Sequence, residues 1–243
     1  MVQVRDLLPV QLKHYDRCLR IMNRYVKDLP ARQILDWGGG SGPLSSRMIH
    51  QGCKGVTLYD FLEPELETFP NLNEAKYVRA ESGSSELPFP DDRFDVVVSL
   101  GVLEHVPFVS KSLEEVYRVL KPSGYFFVFA FPQRSAPLAW ISSLLGRDPH
   151  PRKYSMRDLK LRLLDHGFYV RKSWRFYFLP KHLGGFPRPL QKFYSLFTPL
   201  IYLVDEIIGV IPLLNRLCVS VECYAMKVPY METLANFDDY LRK

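Results

Sequence analysis

The sequence predicts an α/β fold, a seven-stranded, mostly parallel sheet with helices on both faces, and three observations carry that prediction. Short runs rich in Val, Phe, Tyr and Leu recur between residues 33 and 132 and alternate with stretches of helical spacing. A glycine cluster stands where the first run gives way to the first of those helices. The fourth run, Phe94–Leu100, is almost wholly apolar, as a strand covered on both faces must be.

Each element has its own signal. Gln33–Trp37 is the first strand, and Pro43 and Gly52 bracket a helix carrying Leu44, Met48 and Gln51 at helical spacing. Gly55–Asp60, Lys76–Ala80 and Phe94–Leu100 read as strands two to four. Leu113, Val116, Tyr117 and Leu120 fall at i, i+3, i+4 and i+7 and mark a helix that Pro122 and Gly124 stop, before a fifth strand, Tyr125–Phe131. Ser155, three residues before Asp158, is a capping-box signature for a helix running to His166, with Gly167 past its end. Tyr169–Phe178 and Leu217–Val228 complete the seven strands. The reading is a single domain over 1–243, with its core in 30–178 and 217–228.

Two insertions leave this alternation, 133–153 and 179–215, both rich in aromatic residues, Pro and Leu. Loops of that length usually carry function, and their apolar content predicts short helices forming a lid over an acceptor site. The residues from Pro229 onward read as an amphipathic appendage.

Composition bounds the class. A chain of 243 residues, 47% hydrophobic and 24% charged, can close a core without staples. Its cysteines, Cys18, Cys53, Cys218 and Cys223, form no C-x-x-C pair, which sets aside a zinc ribbon or a disulfide framework; no metal is expected. Met1–Asp16 holds no apolar run of signal-peptide length, so the expected location is cytoplasmic, with peripheral contact at a membrane left open. The longest apolar stretch, Leu196–Leu214, is interrupted by Pro199, Asp205, Glu206 and Pro212 and reads as a core or interfacial helix rather than a span. The net charge is +6, yet Arg147–Lys192 alone holds twelve Lys or Arg against three acids. That segment is either a set of solvated faces or a surface that meets an anionic acceptor or lipid headgroups.

The chemistry begins at Asp36-Trp-Gly-Gly-Gly-Ser-Gly42. Glycines at a strand-to-helix passage permit a sharp turn and let a ligand approach the backbone, while the helix N-terminus offers unpaired amides. A dinucleotide fingerprint fails here, because it meets Pro43 when started at Gly38 and Ser45 when started at Gly40; a P-loop fails for want of Gly-Lys-Ser/Thr. What fits is D-x-G-x-G-x-G, with Asp36, Gly38, Gly40 and Gly42 in place. Asp60 ends the next strand, where an acidic residue accepts hydrogen bonds from ribose hydroxyls, and Phe61 beside it can pack on an adenine.

With these residues the sequence resembles the class I S-adenosylmethionine-dependent methyltransferases, and within them the small-molecule branch. The resemblance continues through Glu86–Val98, Leu103-Glu-His-Val106, Leu113–Leu120 followed by Lys121-Pro-Ser-Gly124, and Ser155–Phe168, covering 33–168 in consistent order. It implies a Rossmann-like methyltransferase domain with S-adenosyl-L-methionine as cofactor. Asp36, Gly38 and Gly40, with Gly42, would surround the methionine part; Asp60 would hold the ribose; Phe61, Ser84 and Ser85 would border the adenine; Leu100 would touch the cofactor. Family members often carry an Asp near the adenine amino group where this chain has Gly83, so the choice among Glu81, Gly83 and Ser84 stays open.

A sulfonium donor is already activated, so transfer needs chiefly alignment of the acceptor lone pair. For a hydroxyl acceptor a base helps, and His105, in the loop that faces the acceptor side in similar enzymes, is the catalytic candidate. Glu104 would orient that ring or bind the cofactor's charged end; the competing reading is a histidine that caps a helix or fills the loop. His150 is a second candidate.

Base-amino chemistry commonly shows an Asp/Asn-Pro-Pro-Tyr/Phe segment where this chain has Ser99-Leu-Gly-Val102, and no Cys lies by these motifs for C5 chemistry. The apolar runs Pro137–Leu145 and Leu196–Leu214 could roof a greasy pocket or lie on a membrane with Arg188 and Lys192 near headgroups. The expected acceptor is therefore small or amphiphilic, lipid- or glycan-linked forms included, and methylated on oxygen. The alternatives are an RNA or other nucleic-acid methyltransferase, with Tyr154, Tyr169, Trp174, Phe176 and Tyr177 stacking bases, and a non-catalytic cofactor-binding protein. Oligomeric state has no signature in the chain.

Overall fold

The computed structural model describes residues 7–81, 83–134, 136, 152–181 and 187–228. Seven strands form one sheet in the order β3-β2-β1-β4-β5-β7-β6. They are β1 (Gln33–Trp37), β2 (Gly55–Asp60), β3 (Lys76–Arg79), β4 (Phe94–Leu100), β5 (Leu120–Pro132), β6 (Phe168–Phe176) and β7 (Ser220–Lys227). The pairs β1·β2, β1·β4, β2·β3 and β4·β5 are parallel, and β7 runs antiparallel between β5 and β6. Strand order reverses between β1 and β4, and in open sheets of this kind ligands bind at the carboxyl ends beside such a switch point.

The apolar strands are explained by period-two alternation between two covered faces. Leu35, Val97, Phe126 and Val128 point to one core, closed by α3 (Val109–Val119) and α4 (Met156–Asp165) through Leu113, Val116, Leu159 and Leu163. Ile34, Val96, Val98, Phe127 and Phe129 point to the other, closed by α1 (Pro9–Tyr25) and α2 (Pro43–His50) through Leu19, Met22, Leu44 and Met48. The capping box at Ser155 and Asp158 is formed as expected, with bonds of 3.0 and 3.1 Å.

Two features depart from the sequence expectation. Helix α1 has no counterpart there, because its buried side carries Gln11, His14 and Arg17 among Val10, Cys18 and Met22, which blurs the apolar period. Arg17 is neutralised across 205 residues: its guanidinium donates to Glu222 Oε2 at 2.8 Å, an oxygen that also accepts from Trp174 Nε1 at 2.6 Å. Strand β5 starts at Leu120 rather than Tyr125, since Leu120 already pairs with Phe94 before the register shifts across Pro122–Gly124.

The insertion between β6 and β7 holds two helices, α5 (Arg188–Leu196) and α6 (Thr198–Val210), bent by 67° at their junction. Ile201 and Tyr202 of α6 meet Val10 of α1 and Phe176 of β6 in a third small cluster. Of the earlier insertion, Pro137–Leu145 and His150 lie outside the described residues, as does the segment from Pro229.

Candidate cofactor and acceptor site

The loops that follow β1, β2 and β4 converge at the carboxyl edge of the sheet. Gly38 sits at φ +69°, and a Cβ there would stand 2.4 Å from the Val102 side chain, so the turn after β1 packs directly on the loop after β4. Gly40, at φ +59°, is different: a Cβ there would meet nothing within 4 Å, so its face opens onto free space. Gly42 caps α2 immediately before Pro43, at φ +94°.

Asp36, the last but one residue of β1, is 1% exposed. Its Oδ2 accepts from Ser45 Oγ at 2.7 Å, while Oδ1 is buried with no hydrogen-bond partner. Burial pushes its carboxyl up to about 6, with the neighbouring Asp60 charge adding to the shift against the Ser45 bond. Ser85 Oγ and Ser99 Oγ are also buried and lack protein partners. Buried polar atoms are nearly always satisfied, so Asp36 Oδ1, at the end of the strand that leads into an open glycine turn, fits a ligand that supplies a donor. The ammonium end of a methionine moiety is one such donor.

Asp60 does two things at once. Its Oδ2 accepts from Gly40 N and its Oδ1 from Leu62 N, both at 2.8 Å, so it ties the glycine turn to the end of β2. A carboxylate offers about four lone-pair sites, which leaves acceptor capacity for two hydroxyls. Phe61 is 58% exposed and belongs to no core cluster, unlike an ordinary structural aromatic. The chain returns past it, with Ala80 N on Asp60 O at 2.9 Å, and turns through Gly83 to Ser84, whose Oγ accepts from Glu86 N at 3.1 Å. Leu100 is half-buried at the end of β4. The geometry therefore joins Gly38 to Val102 and Gly40 to Asp60, with Asp36 packed under Gly39 in the same turn; Phe61, Ser84 and Ser85 follow the end of β2 and the chain after β3.

Across the turn, Glu104 is buried and His105 exposed. Glu104 Oε1 and His105 Nε2 are 3.9 Å apart. Burial raises the Glu104 carboxyl to about 7. The His105 imidazole is held below its ordinary value, first by partial burial and then by the Arg152 cation. Arg152 pins this loop by donating to the carbonyls of Glu104, at 3.3 Å, of Val106, and of Pro107, at 2.9 Å.

Sequence reasoning missed Arg152 and Tyr15. Arg152 acts on carbonyls more than forty residues away, for which no local pattern exists. Tyr15 of α1, whose phenol burial and the nearby Cys18 and Asp36 push up to about 12, lies beside the site only because α1 does. Three of the aromatics considered for base stacking are committed elsewhere: Tyr154 stacks on Phe131, Trp174 binds Glu222, and Phe176 is buried beneath the Arg17 guanidinium. Among the described residues no group of three His, Cys, Asp or Glu is placed to hold a metal ion. A cavity of about 520 Å³ is lined by Leu12 of α1, Arg47 and His50 of α2, and Phe69, and shares none of the site residues.

Comparison with known proteins adds to this geometry. Residues 35–128 match a family described as a methyltransferase domain. The ubiquinone biosynthesis O-methyltransferase of Pseudomonas fluorescens (strain Pf0-1) is 32% identical over 154 residues, 60% of this chain and 61% of that protein. The ubiquinone/menaquinone biosynthesis C-methyltransferase of Vibrio parahaemolyticus is 34% identical over 125 residues, 46% of this chain and 48% of that protein. The chain thus spans about half to three fifths of the length of these curated relatives. Among solved structures, the Burkholderia thailandensis 1,6-didemethyltoxoflavin-N1-methyltransferase with bound S-adenosylhomocysteine aligns with a TM-score of 0.56 at 17% identity, covering 90% of this chain and 78% of that one. Phosphoethanolamine N-methyltransferase 2 of Haemonchus contortus, in complex with S-adenosyl-L-methionine, aligns with a TM-score of 0.62 at 15% identity, covering 88% and 52%. At such identities these structures establish the fold alone.

Proposed function

We propose, from a core at residues 35–128 that belongs to the class I S-adenosylmethionine-dependent methyltransferase family, that this chain transfers a methyl group to a hydroxyl oxygen of a small, amphiphilic acceptor, lipid- or glycan-linked acceptors included. The observation that carries the reading is the unpartnered, buried Oδ1 of Asp36 at the base of a glycine turn whose Gly40 faces open space. S-adenosyl-L-methionine, when bound, supplies a methyl group on an activated sulfonium centre.

The chain's own residues do the rest. Asp36 receives the ammonium end, and Asp60 uses its remaining lone pairs for the ribose. Phe61 covers one adenine face, Ser84 and Ser85 its edge, and Leu100 the apolar side near the methyl group. His105, its imidazole held below the ordinary value by partial burial and the Arg152 cation, takes the proton of an acceptor hydroxyl from its exposed position. Glu104, whose Oε1 is 3.9 Å from His105 Nε2, is the positioning residue for the imidazole, and Arg152 fixes the loop that carries both. The relatives' names include both O- and C-methylation; the oxygen reading rests on the exposed imidazole of His105, a base placed where an acceptor hydroxyl can reach it.

The test is incubation of the protein with labelled donor and fractionated cell extract, followed by mass analysis of whatever gains a methyl group. The expected product is an ether or ester of an organic-extractable compound, formed about 100-fold more slowly by His105→Ala, the lower end of general-base contributions. A labelled nucleic acid, a C-methylated product, or donor binding without turnover in any fraction would overturn it.

A further inference from the structure

Helix α6 is built inside out relative to the usual surface helix. Thr198, Ile201, Tyr202 and Asp205 face the protein, while Leu200, Leu203, Ile207 and Val210 face outward with 55%, 53%, 48% and 77% of their surface exposed. The spacing is that of one helical stripe, which in a soluble helix would be the buried one. Phe193 and Leu196 of α5 extend it, at 59% and 74% exposed. Among the described residues, eleven of the fourteen exposed large apolar side chains fall within 190–214, so the exposure marks one element rather than a general surface property.

The outward face is fixed. Asp205, fully buried, accepts from Phe178 N and Leu179 N at 2.9 Å each and pairs with the buried ammonium of Lys181. Tyr202 adds a hydroxyl bond to Val10 O at 2.9 Å. Rotating the apolar stripe inward would break a buried ion pair, which is strongly disfavoured.

Charge and length identify what covers it. Lys192 is exposed on α5 next to Leu196, Arg188 begins that helix and Arg216 follows α6, whereas Glu206 is the single exposed carboxylate among described residues 187–217. Helices of 9 and 13 residues reach about 14 and 20 Å, each short of the roughly 30 Å hydrocarbon core; the bent pair taken together passes for a broken span by length and composition, but the inner face of α6 is packed on Val10 of α1 and Phe176 of β6, which leaves only its outer side for lipid. No single described helix is long and apolar enough to cross a membrane. An apolar centre with a cationic margin, lying flat, matches an anionic lipid surface. The insertion also follows the carboxyl end of β6, the same edge of the sheet as the candidate site.

We propose that the outer face of α5 and α6 is an in-plane docking surface for an anionic phospholipid bilayer. It goes beyond the methylation reading and does not depend on it. The test is co-sedimentation of the full chain with vesicles of phosphatidylcholine and phosphatidylglycerol, with S-adenosylhomocysteine titrated into each variant separately, so that a failure of cofactor binding counts against the methyltransferase reading alone. The wild type is expected to bind these vesicles. The double variant Leu203→Asp/Ile207→Asp should bind at least tenfold more weakly, and Lys192→Glu several-fold more weakly, losing the attraction of a cation near an anionic surface and gaining repulsion. All should keep the wild-type affinity for S-adenosylhomocysteine, because the changed side chains are exposed and none belongs to the loops after β1, β2 or β4. Absence of wild-type binding, or binding that the double variant retains, overturns the proposal. So does a wild-type dimer in light scattering that the double variant dissociates without any vesicle binding, which would make a second copy the occupant.

Discussion

Asp36 and Asp205 are both carboxylates almost wholly removed from water, and the protein serves them in opposite ways. Asp205, in the β6–β7 insertion, has two backbone amides and a lysine ammonium, while Asp36, at the sheet's carboxyl edge, is served by Ser45 and has an oxygen left over. The contrast separates two uses of a buried charge. A satisfied carboxylate anchors an element, here the helix whose apolar side is turned outward. An incompletely satisfied one stores a desolvation cost that only a bound partner offsets, and that is the signature of a binding position.

Breaking the anchored member should have the larger effect. Asp205→Ala leaves a buried ammonium and two amides without their acceptor, so the free energy of unfolding in urea should fall by about 3–5 kcal/mol. Asp36→Asn should do the reverse in the absence of cofactor. Its carboxyl ionises near 6 in the folded chain and near 3.8 when unfolded, so the folded state binds the extra proton between those values. The stability that this proton confers is complete below about pH 3.8 and lost as pH rises through 6, where the ionised form becomes a burden. The amide variant should therefore be more stable than wild type at pH 8, by on the order of 1–3 kcal/mol, and no more stable near pH 4. Equal stability of the two proteins at pH 8 would remove Asp36 from this comparison.

Glu104→Gln sharpens it with a change of similar size. The same sign holds, over a window from 4.5 to about 7, and the variant should gain on the order of 1–3 kcal/mol at pH 8. Because Glu104 is assigned to positioning, the pH dependence of methyl transfer should shift in Glu104→Gln while the affinity for S-adenosylhomocysteine stays the same. A loss of affinity instead would place Glu104 on the cofactor.

What was legible in the sequence follows the range of each interaction. The strands and the glycine turn were readable because their causes are local: period-two apolar runs, Pro43 after Gly42, an acid at the end of β2. The capping box at Ser155 is equally local. Helix α1 was not, since the partner of its buried Arg17 is Glu222, nearly the whole chain away. Arg152 was hidden for the same reason, and so was the direction in which α6 turns. The composition of Leu196–Leu214 revealed an apolar segment with two carboxylates, but only Lys181 and the amides of Phe178 and Leu179 determine that Asp205 points inward and the leucines outward. Asp60 was found, while its bond to Gly40 N, which makes it a brace for the turn as well as a candidate ribose acceptor, needed the fold.

The central claim is that the turn after β1 and the end of β2 hold one sulfonium-bearing nucleoside through Asp36 and Asp60. Calorimetric titration of S-adenosylhomocysteine into the wild type, Asp60→Ala and Asp36→Asn tests it most directly. The account predicts one site per chain, weakened in each variant by on the order of 1–3 kcal/mol, the scale of hydrogen bonds to a charged group. No heat of binding in the wild type, or affinities unchanged in both variants, would contradict it.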